Sequence, residues 1–531
     1  MLRIQSISVA FVLSACAFES RAAEISVPDD FAKIQAAVNA ANPGDLIVVR
    51  AGVYRESLTL KPGITLRSFG NDSQGKLGLA RAEATLIEGG GAPAKSAGVT
   101  MAEGAILDGF TVANFGRYDE AEWKRHHATR GNDQPYEHIG APGIAGVSIM
   151  GVNCEVRNNL VHHNGYTGIA ITGAEGKTCS PLIVSNVCHR NMAGGIGSMN
   201  GSTATIRSNI CFENFFAGIG HENASPLVEG NRCFQNIRAG IGISEGASPK
   251  VISNICYENR RAGIGIRTGA NTRPTLERND CHDNGMAGIG VDQNAQPVIR
   301  ENRCFRNRLA GIGVRDHALP VIVGNESFEN GNSGIGLMSG RQLLVASNYC
   351  HHNKTAGIGL ASGSGNSASL IGNRLLENAT VAVGINPGWT VVLAENELAR
   401  TGGMPPIVMV FPGAMATFTN NTIRGGGVAG IRVGGVIKVL GNRFIGTNLR
   451  KAGPPNFAVW ALKGARVEMH GNQIDSWRHA LFADAAEVVA TGNSVTNAYV
   501  AAFRIRSPSK PPRISDNKVA GANVQELLLE K

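Results

Sequence analysis

Ionisable side chains recur at one place in the middle repeats of the sequence and at the one or two positions that follow it. The candidates are Glu222, Arg267, Asp292, Arg315, Asp316 and His317. Arginine can neutralise the carboxylate of a bound acid, while a nearby carboxylate or imidazole removes the proton beside it. We therefore predict these residues as catalytic groups, with Arg267 or Arg315 holding an acid and Glu222, Asp316 or His317 transferring a proton. The alternative is an exposed ladder of charges that adds little to stability.

A polar insertion at residues 116–142 interrupts the repeats and is a candidate wall of a binding cleft. Insertions of this length in a strict repeat protein are usually functional or disordered. We predict Tyr118 and Trp123 from this insertion as substrate-binding residues, together with Glu245, which lies beside the charged column. The histidines of the insertion include an adjacent pair, which fits no standard metal-binding spacing, so we predict no metal and no cofactor.

A unit of about 23 residues must position these side chains. Its first asparagine recurs at Asn186, Asn209, Asn231, Asn254, Asn279, Asn302, Asn325, Asn348, Asn373 and Asn396. In most units a second asparagine follows five residues later, as at Asn259, and a Gly-Ile-Gly triplet comes next, as at Gly263. Asparagines at a fixed bend can satisfy turn backbone groups and one another.

The periodicity within each unit is that of short strands. Leucine-rich repeats would need leucine at most core positions, and calcium-binding β-rolls would need a recurrent Gly-x-Asp; neither pattern is found. Glycine is abundant, with 68 residues, and aromatic residues make up only 5% of the chain. The sequence therefore predicts an all-β protein, a single parallel β-helix solenoid in which each strand pairs with the same strand of the next turn.

The glycines of the Gly-Ile-Gly triplet have two interpretations. If the isoleucine points inward, the glycines point outward and leave a strip of bare backbone on which a polymer could lie. Alternatively, glycine relieves a crowded bend.

Seven cysteines also form one column, namely Cys188, Cys211, Cys233, Cys256, Cys281, Cys304 and Cys350. Side chains in register are farther apart than the Cβ separation that a disulfide prefers, so we predict inward-facing thiols. Cys154 and Cys179 lie outside the column, and whether they pair is left open.

Two further columns contain histidine. After each repeat cysteine comes a ring that could stack into a structural ladder, at His189, Phe212, Phe234, Tyr257, His282, Phe305, Phe328 and His351. His221 falls in an inward column of mostly aliphatic residues. A buried imidazole needs partners, and Ser198 one turn earlier is the expected one, unless a bulge turns His221 outward.

The sequence is predicted to consist of four parts. Residues 1–22 resemble a signal peptide, residues 24–145 hold an N-terminal cap and the first turns, residues 146–380 the regular repeats, and residues 381–531 irregular turns. Within the first part, the segment ending in Cys16 resembles a lipobox, which would attach a lipid, whereas Ala22 ends an ordinary cleavage site. An amphipathic helix within Asp30–Val38 is predicted to cover the open N-terminal edge of the solenoid.

The opening of the chain, from Pro28 through Gly44 to Glu56, resembles that of pectin-lyase-like right-handed β-helix proteins. The asparagine repeats are similar to those of carbohydrate-binding proteins and sugar hydrolases and of NosD-type periplasmic proteins that assist copper-enzyme maturation. The resemblance implies a right-handed parallel β-helix. It does not select an activity, because this superfamily holds lyases, epimerases, hydrolases, esterases and non-enzymes.

Two functional hypotheses follow. The first is an exported protein, periplasmic or secreted, that binds an acidic polysaccharide and acts on it as a lyase or C5-epimerase. The second is a non-catalytic, NosD-like accessory or scaffold protein. The formal net charge of +9 suits an acidic partner. We predict a monomer that binds no nucleic acid and meets a membrane only through a lipid on Cys16.

Overall fold

The computed structural model describes residues 22–72, 75–90, 96–129, 143–447, 455–521 and 524–530. The predicted signal peptide with Cys16, apart from Ala22, and residues 130–142 of the insertion lie outside these ranges. The described chain forms one parallel β-solenoid of about 21 turns. Each regular turn contributes one short strand to each of three sheets that run the length of the coil.

The first sheet contains the strand that precedes the first asparagine of each turn. Its strands are Glu24–Val27, Leu46–Val49, Thr65–Ser68, Ile106–Asp108, Glu155–Arg157, Leu182–Val184, Thr205–Arg207, Leu227–Glu229, Lys250–Ile252, Thr275–Glu277, Val298–Arg300, Val321–Val323, Leu343–Ala346, Asn366–Ile371, Trp389–Ala394, Met415–Thr419, Val436–Leu440, Arg466–His470, Glu487–Thr491 and Arg513–Ser515.

The second sheet contains the strand that carries the repeat cysteine. Its strands are Gly52–Tyr54, Thr85–Glu88, Thr111–Ala113, Leu160–His162, Val187–His189, Ile210–Phe212, Arg232–Phe234, Ile255–Tyr257, Asp280–His282, Arg303–Phe305, Glu326–Phe328, Tyr349–His351, Arg374–Leu376, Glu397–Arg400, Thr422–Gly425, Arg443–Gly446, Gln473–Asp475, Ser494–Thr496 and Lys518–Ala520.

The third sheet contains the strand that begins at the isoleucine of Gly-Ile-Gly. Its strands are Leu58–Thr59, Val99–Thr100, Val147–Met150, Ile169–Thr172, Ile196–Met199, Ile219–Glu222, Ile241–Ser244, Ile264–Ile266, Ile289–Val291, Ile312–Val314, Ile335–Leu337, Ala356–Leu360, Val381–Ile385, Val408–Val410, Ala429–Val433, Phe457–Ala461, His479–Asp484, Ala501–Arg506 and Gln525–Glu530.

The pairing is parallel and in register from turn to turn. In the third sheet, for example, Ile219 pairs with Ile241 and Gly220 with Gly242. The same three-sheet arrangement continues through the C-terminal turns, where several strands lengthen to five or six residues. The prediction of a parallel β-helix solenoid is therefore confirmed.

Buried asparagine side chains join the turns at the bend between the first two sheets. The side-chain Oδ1 of Asn254 accepts hydrogen bonds from the backbone N and from Nδ2 of Asn231, both at 2.9 Å. Nδ2 of Asn254 donates to Val228 O, to Ile252 O and to Oδ1 of Asn279. The prediction that stacked asparagines satisfy the bend and one another is confirmed, and the second asparagine of the regular units forms an equivalent ladder, as between Asn236 and Asn259.

The cysteine column lies inside the coil. Cys211 pairs in register with Cys233, and Cys233 with Cys256, while all seven side chains of the column are buried free thiols. Cys154 and Cys179 are also buried free thiols. Burial raises the pKa of the Cys154 thiol to about 12, so this thiol stays protonated at neutral pH.

The predicted ring ladder runs along the outer face of the second sheet. Its neighbouring rings are stacked with centroids 4.8 Å apart at His189 and Phe212 and 5.2 Å apart at Tyr257 and His282. His162 extends the stack by one ring. Because each ring covers the face of the next, the ladder leaves mainly ring edges at the surface, which supports a structural role.

The N-terminal helix spans Ile34–Ala40, a shorter segment than the sequence predicted. It buries Ile34, Ala37 and Val38 against the first turns of the coil. The carboxylate of Glu56 accepts hydrogen bonds from the backbone N–H groups of Ile34 and Gln35 at the start of the helix.

Two more helices, Ala80–Ala84 and Glu120–Ala128, lie in connections between strands. In the ranges that the structure describes, no helix has both the length and the apolar composition needed to cross a bilayer.

Candidate functional site

The glycines of each Gly-Ile-Gly triplet have different roles. A Cβ on the first glycine of one triplet, Gly240, would lie 2.7 Å from Gly263 O and 2.9 Å from Nδ2 of Asn259. A Cβ on the last glycine, Gly242, would meet only the Ala217 methyl, at 3.4 Å, and Gly220 has nothing within 4 Å. Both interpretations of the triplet are therefore correct, each for one glycine: the first permits a tight bend, and the last leaves bare backbone outside.

These outward glycines form the floor of a groove along the third sheet. The groove encloses about 380 Å³. Its floor is made by Gly197, Gly220, Gly242, Gly265, Gly290, Gly313 and Gly336. Side chains after the triplet form one wall, at Met199, Glu222, Ser244, Arg267, Asp292, Arg315 and Met338. Side chains before the triplet form the opposite wall, at Tyr166, Phe216, Arg238, Arg261, Met286, Leu309 and Asn332.

The structure brings four predicted catalytic residues into this groove and leaves two outside its lining. Glu222, Arg267, Asp292 and Arg315 line one wall. Asp316 and His317 lie at the bend that follows, both with positive φ, 47° and 59°. The predicted binding residue Glu245 sits at the equivalent bend three turns earlier and has a φ of 54°. At these bends the chain turns away from the third sheet, so the three side chains are exposed beside the groove.

The opposite wall contains functional candidates that the sequence analysis did not select. Arg238 and Arg261 stand two residues before the Gly-Ile-Gly triplet of successive turns, and Tyr166 lies near one end of the groove. The guanidinium of Arg238 lies 4.4 Å from the ring centroid of Phe216. In the sequence these residues form a column two positions before the triplet, and the predicted site included only the column after the triplet.

Glu222 is a half-buried carboxyl group inside the groove. Burial is the main cause that raises its pKa above the ordinary value, and the negative charge of Glu245 raises it further. The positive charge of Arg267 acts in the opposite direction. A carboxyl group with a raised pKa is a stronger base once it is ionised, which is what proton abstraction requires.

Asp292 and Arg315 form an ion pair across adjacent turns. Nη2 of Arg315 lies 2.6 Å and Nε 2.8 Å from Oδ2 of Asp292. Burial is the main cause that raises the pKa of Asp292, and the neighbouring Asp316 adds to the increase. Arg315 therefore already holds a carboxylate of the protein itself.

His221 is buried inside the coil, with 2% of its surface exposed. It pairs in register with Ser198, as expected, but neither ring nitrogen of His221 nor Oγ of Ser198 has a hydrogen-bond partner among the described residues. The expected hydrogen bond is therefore not formed, and no bulge turns the ring outward, since the strand Ile219–Glu222 continues its register with Ile241–Ser244. Burial lowers the pKa of His221 to about 3.

Replacing His221 by isoleucine, the residue of the next turn, is expected to stabilise the protein. It removes unsatisfied buried polar atoms, which should raise the free energy of unfolding by about 1–3 kcal/mol at pH 7. Because the unfolded imidazole binds a proton below about pH 6.5 while the buried ring does not, wild-type stability should fall as the pH drops from there towards 3. Denaturation with urea at several pH values should show the gap widening in acid.

A second buried histidine provides the control for this prediction. Nδ1 of His479 is 2.7 Å from Ala501 O, so this ring has a partner. His479→Leu should lower stability, because it leaves that carbonyl unsatisfied. A destabilised His221→Ile variant would contradict the assignment of His221 as an unsatisfied group.

The described part of the insertion forms the helix Glu120–Ala128, which docks on the bends beside the groove. Nε1 of Trp123 donates to Glu213 O at 2.8 Å, and its ring packs with Phe215 and Ile237. The Arg190 guanidinium lies 3.8 Å from the centroid of the Trp123 ring. Trp123 was predicted to bind substrate, but only 4% of it is exposed, so its ring anchors the helix and is not presented to a ligand.

Tyr118 likewise belongs to this contact. Its hydroxyl donates to Oε2 of Glu120 at 2.6 Å, and its ring lies against that of His163, with centroids 4.6 Å apart. Burial raises its pKa. Tyr118 is not among the described groove-lining residues, and it supports the helix that abuts the Phe215–Phe216 wall.

Histidines are numerous at this junction, but they are arranged for packing. His127 stacks on Trp123 with ring centroids 4.6 Å apart, and Nε2 of His126 is 2.9 Å from Oε1 of Glu122. Across the described ranges, no group of three or more His, Cys, Asp or Glu side chains is arranged to hold a metal ion.

Comparisons with known proteins bear on the fold. The family model described as "Right handed beta helix region" matches residues 143–273 and 239–398. No curated protein gives a significant match.

Among solved structures, the chain is similar to a mutant of the periplasmic alginate epimerase AlgG, with 14% identity over 71% of this chain and 83% of that one and a TM-score of 0.38. It is also similar to the pectate lyase Pel9A, with 12% identity over 71% and 78% and a TM-score of 0.31. The pre-mature bacteriophage phi29 gene product 12 gives 10% identity over 95% and 72% and a TM-score of 0.43. At these identities and scores, none of them indicates an activity for this chain.

The family match covers the same turns that carry the asparagine ladders and the glycine floor. Together with the three in-register parallel sheets, it shows that residues 143–398 match the right-handed β-helix family and that the described chain has a parallel β-helix fold.

Proposed function

We propose that this chain is an exported protein that binds an acidic polysaccharide in the groove and removes the C5 proton of a uronate, as a lyase or a C5-epimerase. The observation that carries the proposal is one open groove that holds both a carboxyl group with a raised pKa and a surplus of arginines. Its lining includes four arginines and two carboxylates. The positive surplus favours an anionic chain, and the glycine floor lets that chain approach the backbone closely.

Glu222 is the proposed base. Arg267 lies beyond it on the same wall, and Arg238 and Arg261 lie on the opposite wall. A uronate placed between the walls would direct its carboxylate to the arginines and its C5–H to Glu222. Proton transfer to Glu222 moves negative charge onto the uronate carboxylate, where fixed guanidinium groups stabilise it.

A second proton-transfer group is needed in either reaction. In elimination the C4–O4 bond breaks, a C4–C5 double bond forms and the leaving oxygen takes up a proton. In epimerisation a proton returns to the opposite face of C5. Tyr166 is the proposed donor, since its phenol lines the groove. Burial, with a smaller effect of Glu222, raises its pKa, so the phenol carries its proton at neutral pH.

The remaining predicted site residues keep secondary roles. Glu245 tunes the pKa of Glu222, and Asp316 acts on Asp292. His317 would take part only if a ligand extended over the bend beside the groove. Export as a monomer, with a lipid on Cys16 or with ordinary signal cleavage, remains part of the proposal.

The non-catalytic, scaffold-like alternative would have its charges mutually paired. The Arg315–Asp292 ion pair fits that description. The wall of Glu222 and Arg267, facing Arg261, fits the enzymatic hypothesis better, because these groups converge on one open groove.

Binding to unsubstituted oligogalacturonate and oligomannuronate tests the proposal. Arg261→Gln should weaken binding about 10- to 100-fold, because one charge-assisted contact is lost. Arg207→Gln is the matched control, since Arg207 is exposed on the first sheet outside the groove lining. If neither uronate binds, or if both variants weaken binding equally at constant ionic strength, the groove is not the binding site for an acidic glycan.

A further inference from the structure

The two halves of the groove differ in charge. The first half, from Phe216 to Arg267, holds three arginines and one carboxylate. The second half, from Met286 to Met338, holds one arginine and one carboxylate, and these two are paired with each other at 2.6 Å. The first half therefore has a net positive charge, while the second half has none.

The side-chain oxygen of Asn332, another polar residue of the second half, also has a hydrogen-bond partner within the protein. Oδ1 of Asn332 accepts a hydrogen bond from Oγ1 of Thr355 at 2.8 Å. A ligand that enters this half therefore meets an ion pair that is already formed and an amide oxygen that already accepts a hydrogen bond. On such a surface, few new polar contacts offset the free-energy cost of desolvating a charged or strongly hydrated ligand group.

Apolar side chains border the second half on both sides. Met286 and Leu309 stand on one wall and Met338 on the other. Leu309 is 45% and Met338 56% exposed. Single exposed apolar residues are common, but these residues flank one continuous floor, and contiguous apolar surface marks a binding site more often than scattered residues do.

The floor between them is flat and apolar. A Cβ on Gly290, Gly313 or Gly336 would find only an alanine methyl of the preceding turn, at 3.8, 3.7 and 3.5 Å respectively. The space above these glycines suits a small apolar substituent such as an acetyl methyl. Since successive turns are about 4.8 Å apart, neighbouring sugars of an extended polymer would meet successive turns.

We propose that the second half of the groove binds acyl-substituted sugars, so that the preferred ligand is an O-acylated acidic polysaccharide. The uronate carboxylate lies among Arg238, Arg261 and Arg267, while ester-linked acyl groups of the following sugars lie against Met286, Leu309 and Met338. This inference rests on the proposed function, because it uses the same groove and the same anionic polymer.

Two matched probes test the inference. Oligomannuronate of one length is prepared chemically O-acetylated and unsubstituted, and calorimetry measures Kd of the full chain for both at fixed ionic strength. The acetylated probe should bind about four-fold more tightly for each acetyl methyl that is buried. Leu309→Ser should remove most of this preference, and it should weaken the unsubstituted probe less than the acetylated one. Leu319→Ser is the control, since Leu319 is 39% exposed and is not among the residues that line the groove.

The outcomes separate the inference from the proposal on which it rests. Equal affinity for both probes, or a preference that survives in Leu309→Ser, would overturn the acyl inference while the binding of acidic glycan stands. Binding of neither probe would overturn both. A preference that is lost equally in Leu309→Ser and Leu319→Ser would also reject the second half of the groove as the acyl site.

Discussion

Glu222→Gln is expected to lower the rate of C5 proton removal by about 10²–10⁴ while the chain still binds polyuronate. Glutamine keeps the size of the side chain but cannot accept the proton. Exchange of the C5 proton for deuterium, followed by nuclear magnetic resonance, reports the step whether the products arise by elimination or by epimerisation. Arg261→Gln should differ, because it weakens binding as well as turnover.

The pH dependence of the same variant gives a separate check. Because the pKa of Glu222 lies above its ordinary value, the base form appears only as the pH rises through that raised pKa. Turnover should therefore rise with pH over this range. Affinity for the anionic polymer should fall, since a negative charge appears in the groove, and the fall should be absent in Glu222→Gln.

A carboxylate on another face provides the control. Glu229 is also half-buried but lies on the first sheet, outside the groove lining. Glu229→Gln should leave rate and affinity unchanged. Full turnover in Glu222→Gln on a substrate that the wild type converts would reject Glu222 as the base, and Asp316 and His317, at a bend four turns farther along the groove, would become the next candidates.

Asn254→Ala is expected to cost roughly 3–5 kcal/mol of stability, the largest effect that we expect for a substitution away from the groove. The side chain accepts hydrogen bonds from the backbone and the amide of Asn231, and it donates to the carbonyls of Val228 and Ile252 and to Asn279. Alanine removes the acceptor of the buried backbone N–H of Asn231 and one hydrogen bond from each of the other groups, and an unsatisfied buried group has its own desolvation cost.

Local amide exchange should locate the damage. The backbone N–H of Asn231, which donates to Oδ1 of Asn254, should lose protection before amides several turns away, since each turn of a solenoid contacts only its neighbours. Asn271→Ala is the matched control, because Asn271 is exposed and outside the ladder. A loss of stability no greater than that of Asn271→Ala would show that the asparagine ladder contributes little.

The sequence alone determined the coil and the residues that share a column. Asparagine, cysteine and ring columns could be read directly because every turn repeats in register, so a residue spacing of one repeat becomes a contact between neighbouring turns. For the same reason, the sequence alone predicts that Glu222 and Arg267 lie on the same wall.

Only the tertiary structure decided what lies opposite that wall. Which glycine of the triplet faces outward depends on how tightly the chain bends against the next turn, as at Gly240 and Gly242. That bend places Arg261 across the groove from the predicted residues, and it aims Arg315 at Asp292.

The contacts of the insertion could not be predicted from the repeat pattern either. Trp123 is buried because its indole donates to the carbonyl of Glu213, a residue 90 positions away. A period describes contacts between equivalent residues of adjacent turns. The repeat pattern does not predict how a non-repeating segment docks on several turns, or which charges pair within a groove. Those contacts depend on distances that are set only in the folded coil.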